Sequence, residues 1–477
     1  MKHIVKNNIY MRTVLILMTI GMLMTSCSEE YLELEPTSSI SEDVVFSTYS
    51  NAESALVGAY DNLSSYTAEG LYMPIAGDLM GEDIMLNSVD NWGWFVAVYQ
   101  MDVLPNYQWA SSPWNTGYKV IYDANKIITQ AHRIPNITEA ELNNLVGQSK
   151  VLRAFTMLKL VEMFAPSYLS NPQAPSIMNV TTVLSHDDED LPRAPLSEVY
   201  QTIISDLESA KEMLEVDNFS GFFDRNAAQA LAARAYLNMG EWGKARDNAQ
   251  LAYANKELMD GFDLLAGFNA SNEETIFSVA YTPDDNNIYL SLPSFYWPVQ
   301  GYSSIRVDRE IFEEYSPIDL RINWFLEQPN IDPDNILTLK FQHIEKIGNA
   351  EKISIRAAEM YLIEAECEVE LGNDIAAQDA LFAVQKRAIT SASKSTNTGD
   401  ELLQEILLER RKELIGEGFR WNDIKRRNLP FKREGDHWVK FDFTSNDADY
   451  YRLTYPIPQT EIDVNTKIEP QDQNPGY

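Results

Sequence analysis

Two stretches of this sequence are crowded with flat rings. Residues 92–118 hold Trp92, Trp94, Phe95, Tyr99, Tyr107, Trp109, Trp114 and Tyr118, and residues 289–302 hold Tyr289, Phe295, Tyr296, Trp297 and Tyr302. The first stretch has eight aromatics in 27 positions, against 11% for the whole chain. Most of these rings fall where apolar spacing is irregular, so they are read onto loops, where a ring has less core to enter. Flat rings suit sugars, whose C–H faces are apolar while their hydroxyls want polar partners at the edge. The stacking faces are expected at Trp92, Trp94, Tyr296 and Trp297. Asn91 and Asp285 are the expected edge partners, together with Asp90, Asp284, Asn286 and Asn287. Trp114 and Tyr118 stand at core spacing on a helix and are assigned to packing. The competing reading is that the rings pin long loops onto the rest of the fold.

Catalytic motifs are missing. The sequence has no phosphate-cradling glycine loop, no GxSxG and no HExxH. Its five histidines, His3, His132, His186, His343 and His437, include no two at ligand spacing on one helix. Among 71 acidic residues no pair stands out as the carboxylates of a glycosidase. No catalytic residue is assigned, and no cofactor is expected. Asp187–Asp190 and Asp332–Asn335 offer oxygens to a structural Ca²⁺, but neither has the spacing and glycine of an EF-hand loop, and a solvated acidic loop is the preferred reading. With two cysteines, Cys27 and Cys367, there is no disulfide framework. Cys367, beside Ala365 and Val369, reads as a buried small hydrophobe.

The formal charge is −33, from 38 Lys and Arg against 71 Asp and Glu. Such a surface repels phosphate backbones, which excludes nucleic acid as a partner, and it disfavours anionic lipid headgroups.

Cys27 has its own chemistry. Lys2, Lys6 and Arg12 precede an apolar or small run from Val14 to Met24, and the run ends in Met24-Thr25-Ser26-Cys27. Eleven residues are too few to span a bilayer core, which takes roughly 20, but they fit a secretory signal. The last four resemble a bacterial lipobox, with Met in place of the usual Leu. Residues 1–26 are therefore read as a signal peptide, Cys27 as the lipidated (palmitate-bearing) first residue, and 27–40 as a tether. Ser28-Glu29-Glu30 resembles the surface-export signal of Bacteroidetes lipoproteins.

The elements that must position these groups follow from periodicity. Helical spacing covers 41–65, 114–164, 196–255 and 353–416. Residues 66–112, 260–350 and 425–477 read as a loop-rich, ligand-binding part with a few short strands, such as Thr275–Val279. Around Gly240 a tetratricopeptide pattern is visible in Ala233, Tyr236, Trp242, Ala245 and Ala252. A weaker copy surrounds Gly372, where Glu368 stands in place of the aromatic. The expected fold is mainly α: tetratricopeptide-like helix pairs form an α domain beside the irregular part.

Six segments, in order, then resemble one family. They are Trp114–Asn125; Lys150–Phe155 running to Pro166; Arg193–Tyr200 with Ile204–Leu207; Arg356–Glu366 with Leu371-Gly372; Glu409–Ile424; and Tyr455–Ile462 with Gln473–Tyr477. Together they resemble the SusD/RagB family of Bacteroidetes outer-membrane lipoproteins, over residues 41–477. The resemblance implies a nutrient-binding lid, lipid-anchored and exposed at the cell surface, that serves a SusC-like TonB-dependent transporter. It implies a glycan or oligosaccharide as ligand, or a peptide as in RagB, and binding rather than catalysis. A surface glycoside hydrolase is the reading from another class. On the helix that leads into the fifth segment Leu403, Ile406, Leu407, Arg410 and Leu414 share one face. A buried Arg410 needs an acid, for which Glu413 and Glu417 are the candidates, and Gly418 is the expected helix cap.

Overall fold

A computed structural model describes residues 41–185, 188–217, 221–328 and 332–477, with no account of the side chains at 328 and 332–335. The signal segment, Cys27 and the tether lie outside the described residues, as do His186 and Asp187.

Helices of seven residues or more are numbered α1 Tyr49–Ser64, α2 Tyr72–Leu79, α3 Gln108–Gln130, α4 Glu139–Phe164, α5 Leu196–Met213, α6 Arg225–Met239, α7 Trp242–Tyr253, α8 Ala357–Glu370, α9 Asp374–Ala388, α10 Gly399–Glu413 and α11 Arg420–Arg426. From α3 to α9 each helix packs on the next, and α10 returns onto α8. Local chemistry starts and stops them. Thr138 and Glu141 form a reciprocal capping box at the head of α4. Gly240, at φ +73°, closes α6 in the left-handed region that glycine enters without penalty. The small residues of the expected helix pair, Ala233, Ala245 and Ala252, are fully buried, so α6 and α7 approach closely. In the weaker copy, Ala365 and Ala377 lie in a second apolar cluster with Leu381 and Ile406. The fold is mainly α, as expected.

The strands are short. β1 Ile84–Leu86, β5 Ile305–Val307, β7 Asp332–Thr338 and β6 Phe325–Gln328 form one antiparallel sheet in that spatial order. β2 Pro175–Met178 pairs with β3 Arg193–Pro195, β4 Thr275–Val279 with β8 Lys352–Arg356, and β9 Phe431–Arg433 with β10 Phe441–Phe443.

Three elements differ from the sequence reading. Helix α2 lies in a segment read as irregular. All eight of its residues are buried, so it has no polar face and no 3.6-residue signal. Residues 352–356, read mostly as helix, are strand β8. Ile353 and Ile355 alternate with Lys352, Ser354 and Arg356, a period of two. Helix α3 begins at Gln108 and runs through Pro113, before the expected start at 114.

The two parts of the molecule meet at a buried cluster of charges. Arg356 on β8 reaches Glu274 at 2.6 Å, Glu413 at 2.7 Å and Glu417 at 2.6 Å. Arg387 on α9 reaches Glu274 at 2.7 Å and also bonds Glu413. Arg321 contacts Asp319 and Glu413, both at 2.8 Å, and Lys340 holds Glu417 at 2.6 Å. Burial pushes the Glu413 carboxyl up, but Arg387, Arg356, Arg321 and Lys340 overcome this and hold it well below the usual carboxylate range. Glu413 and Glu417 are therefore not the partners of Arg410. That guanidinium bonds Asp423 on α11 at 2.8 Å and lies over the Phe419 ring. The helix also ends earlier than expected: Leu414 closes α10, and Gly416 and Gly418 turn the chain at φ +78° and +88°.

Replacing Glu413 by Gln leaves three guanidiniums facing a neutral amide inside the protein. Breaking a buried pair this way costs about 3–5 kcal/mol. Urea unfolding of Glu413→Gln is expected to show a loss of that size, and a loss below about 1 kcal/mol would reject the central role given to this carboxylate.

Candidate functional site: an aromatic platform on two loops

The first loop leaves β1 at Leu86. Asn87 Oδ1 accepts the backbone N–H groups of Val89 at 2.8 Å and Asp90 at 3.0 Å. Asn91 donates its amide to the Asn87 carbonyl at 2.9 Å and accepts the Gly93 N–H at 2.9 Å. These side-chain turns hold an unusual backbone: Trp92, Gly93 and Phe95 have φ of +56°, +78° and +57°. A non-glycine residue there costs of order 1–3 kcal/mol and persists only where its surroundings over-determine it. The outcome is that Trp92 stands 71% exposed while Trp94 and Phe95 turn inward.

The second loop is pinned to the end of α1. The Tyr281 hydroxyl donates to the Ser64 carbonyl at 2.6 Å, and Asn287 Nδ2 donates to it at 2.9 Å. Asn286 Oδ1 accepts the Ile288 N–H at 2.8 Å. Beyond this turn Ile288, Tyr289 and Val299 are exposed, and a five-residue helical turn, Leu292–Tyr296, folds back into the core.

The two aromatic stretches converge. The Trp94 ring centroid lies 6.0 Å from each of Trp109, Phe295 and Tyr302, and Phe95 lies 4.7 Å from Trp109 and 5.1 Å from Phe295. Tyr289 joins through Tyr302 at 6.1 Å. Trp94 is thus half-buried in a ring stack that supports the loops, with Trp92 above it in sequence and in exposure. Tyr296 differs from the sequence reading. It is fully buried, its hydroxyl donates to Asp78 at 2.6 Å, and it packs on Phe341. No face of Tyr296 is open to a ligand. Trp297 is half-buried, edge-on to His343 at 5.6 Å; its described ring contact is to His343, outside the Trp94 stack. Asn91 is committed to the turn, and Asp285 is exposed. One neighbour had no signal in the sequence. Trp438, on the β9–β10 hairpin, is half-exposed, and its indole N–H holds the Leu86 carbonyl at 2.7 Å, at the root of the first loop.

A cleft of about 520 Å³ lies elsewhere, between Pro166, Tyr450, Tyr451 and the tail at 471–475. Its cations are engaged in the fold. Arg193 donates to the carbonyls of Pro175, Ser176 and Asp472 and to Asn474, and Lys425 donates to the carbonyls of Glu162 and Ala165. Among the described residues no group of three or more His, Cys, Asp or Glu is arranged to hold a metal, and no helix is long and apolar enough to cross a membrane. Cys367 is buried, and burial pushes its thiol well up.

Comparison with known proteins places this architecture. The SusD family model matches residues 336–477, and a model described as starch-binding and associating with the outer membrane matches residues 30–237. A SusD-like protein of Formosa agariphila is 26% identical, aligned over 95% of this chain and 97% of its own. A SusD superfamily structure from Bacteroides thetaiotaomicron superposes with a TM-score of 0.82 at 26% identity, covering 90% of this chain and 100% of the other. A structure from Bacteroides vulgatus described as a SusD-like carbohydrate-binding protein gives 0.79 at 26% identity, covering 90% and 98%.

Asp78 holds the base of the second loop. One carboxyl oxygen accepts the Tyr296 hydroxyl, and the other accepts the Gly418 N–H at 2.8 Å. Burial pushes this carboxyl up to about 7, against the pull of both hydrogen bonds. Between the ordinary aspartate value and about 7, the folded protein keeps a proton that the unfolded chain has released. The stabilisation from this group therefore falls as pH rises through that window. Asp78→Asn removes the titration, so the melting temperature of the variant minus that of wild type is expected to rise from pH 5 to pH 8. A difference that does not change with pH would reject the assignment.

Proposed function

This chain belongs to the SusD/RagB-like family, and from that premise we propose that it is a surface-exposed nutrient-binding lipoprotein. It captures a glycan or oligosaccharide on the aromatic platform and passes it to a SusC-like TonB-dependent transporter in the outer membrane. The observation that carries the reading is the convergence of two distant aromatic stretches on loops that hold Trp92 out in solvent. A ring kept exposed by a strained, fully bonded loop is prepared for a flat partner. The starch-binding family model and the similarity to a SusD-like carbohydrate-binding protein support the same ligand class. The reading is one of binding without chemistry, with Trp92 and Trp297 as the stacking faces and Asp285 at the edge. Trp94 supports them from below, and Asn91 shapes the turn that presents Trp92. Placement at the membrane is assigned to acylation of Cys27, with residues 28–40 as a tether that reaches at most ~45 Å.

Two experiments divide the reading. Affinity electrophoresis against a panel of polysaccharides identifies a glycan that retards the protein, and calorimetry then measures Trp92→Ala and Trp297→Ala. Loss of a stacking ring is expected to weaken binding by about 1–3 kcal/mol, by analogy with base–aromatic stacking, with melting unchanged for Trp92→Ala. Wild-type affinity in both variants, or retention of peptides instead of glycans, would overturn the ligand assignment. Separately, Cys27→Ala should lose fatty-acid labelling and membrane retention, while wild type purified in mild detergent should bring down a TonB-dependent barrel. Labelling that survives the substitution, or repeated absence of the barrel, rejects that half.

A further inference from the structure

Positive charge is missing from the platform. Residues 84–112 and 280–305, which supply both loops and the ring stack, contain no Lys, Arg or His, in a chain that has 38 Lys and Arg. They do contain Asp90, Asp102, Asp284 and Asp285, and all four are exposed. Asp102 is faced by Arg452. The other three stand on the loops that carry Trp92 and Tyr289, and none lies within 4 Å of a cation among the described residues.

Adjoining elements do not reverse the sign. Lys346, on the turn packed under Ile288, is exposed beside exposed Glu345. Lys440, on the β9–β10 hairpin, bonds the Gly435 carbonyl. Arg306 is buried on β5, with its guanidinium donating to the carbonyls of Ser303 and Ile305.

Sites that take carboxylated or sulfated sugars need cationic donors, for which the guanidinium fork is the best match. Here the charged groups exposed on the same loops are carboxylates. They accept hydrogen bonds from sugar hydroxyls but repel an anionic chain over a screening length of roughly 8 Å. With the platform taken as the glycan site, we infer that it selects glycans free of carboxylate and sulfate groups, and that Asp90, Asp284 and Asp285 determine this specificity. A polymer with a charge on most of its sugars meets these three carboxylates repeatedly, whereas an uncharged polymer meets them only as acceptors.

The test uses one backbone in two forms. A neutral polysaccharide retained in affinity electrophoresis is chemically sulfated, and both forms are titrated against the intact protein at 20 mM and 300 mM NaCl. The expected result is at least about tenfold weaker binding of the sulfated form at low salt, with a gap that shrinks as salt rises. In the triple variant Asp90→Asn, Asp284→Asn, Asp285→Asn the gap should also shrink. If sulfation itself blocks stacking, neither salt nor the triple variant will change the gap, and the charge-based selection is overturned. Equal or tighter binding of the sulfated form overturns it as well. Failure of every polysaccharide in both forms removes the glycan reading itself, and this inference with it.

Discussion

The structure turns on one buried carboxylate. Glu413 ends α10 among Arg321, Arg356 and Arg387, and the backbone carbonyl of the same residue accepts from Lys340 and Arg356. These cations come from a short helical turn, the segment just after β7, β8 and α9, so one residue ties the helical array to the loop-rich part. Desolvating this many charges is expensive, and an apolar core of similar volume would be no less stable. The arrangement instead gives definition: a shifted register of β8 or α10 would leave a guanidinium unpaired in the interior. The stretch Glu409–Ile424, which carries part of the family resemblance, is the stretch that builds this cluster.

The same cluster reaches the platform. Lys340 bonds the Ile415 carbonyl and Glu417, fixing the turn after α10. That turn presents the Gly418 N–H to Asp78, and Asp78 holds Tyr296 at the base of the second loop. The fit is close. A Cβ on Gly77 would stand 2.1 Å from the Gly418 carbonyl oxygen, and one on Gly418 would stand 2.8 Å from Pro74. Helix α2 and the glycine turn thus touch backbone to backbone, and no larger residue fits at either position. Tyr296 is therefore part of how the site is held rather than part of what it offers.

What the sequence revealed depended on whether a signal was local. Amphipathic helices such as α3 and α7 have one wet face, and periodicity finds them, whereas α6, with no exposed residue, shows instead through its repeat of small residues. Helix α2 and strand β8 are buried on all sides, so contrast between faces is lost, and only the alternation of β8 was available. The aromatic stretches were visible as composition, but which rings face out was not. Trp92 and Tyr296 look alike in sequence. The difference arises from a left-handed turn built by Asn87 and Asn91, and from a hydrogen bond across 218 residues to Asp78. The partner of Arg410 was misread for the same reason: acids three and seven residues away were drawn to cations from other elements.

The acidic excess of the chain lies on its exterior, because the buried cations take acids such as Glu274, Glu359, Glu366, Glu413, Glu417 and Asp423 inside with them. Arg153, Arg234, Arg321, Arg356, Arg387, Arg410, Arg426, Arg433, Lys340, Lys352, Lys412 and Lys425 are all buried. The chain has 38 Lys and Arg in all, so the cations left for the surface are fewer than the composition suggests. Exposed acids such as those of the platform loops have no comparable internal use. A protein with this distribution is repelled by anionic headgroups and has little electrostatic means of staying at a membrane. The two attachments proposed above, a covalent lipid and a partner, do not depend on surface charge. The excess of acids stays on the surface, and on the inferred platform an uncharged ligand meets rings and acceptors while an anionic one meets repulsion.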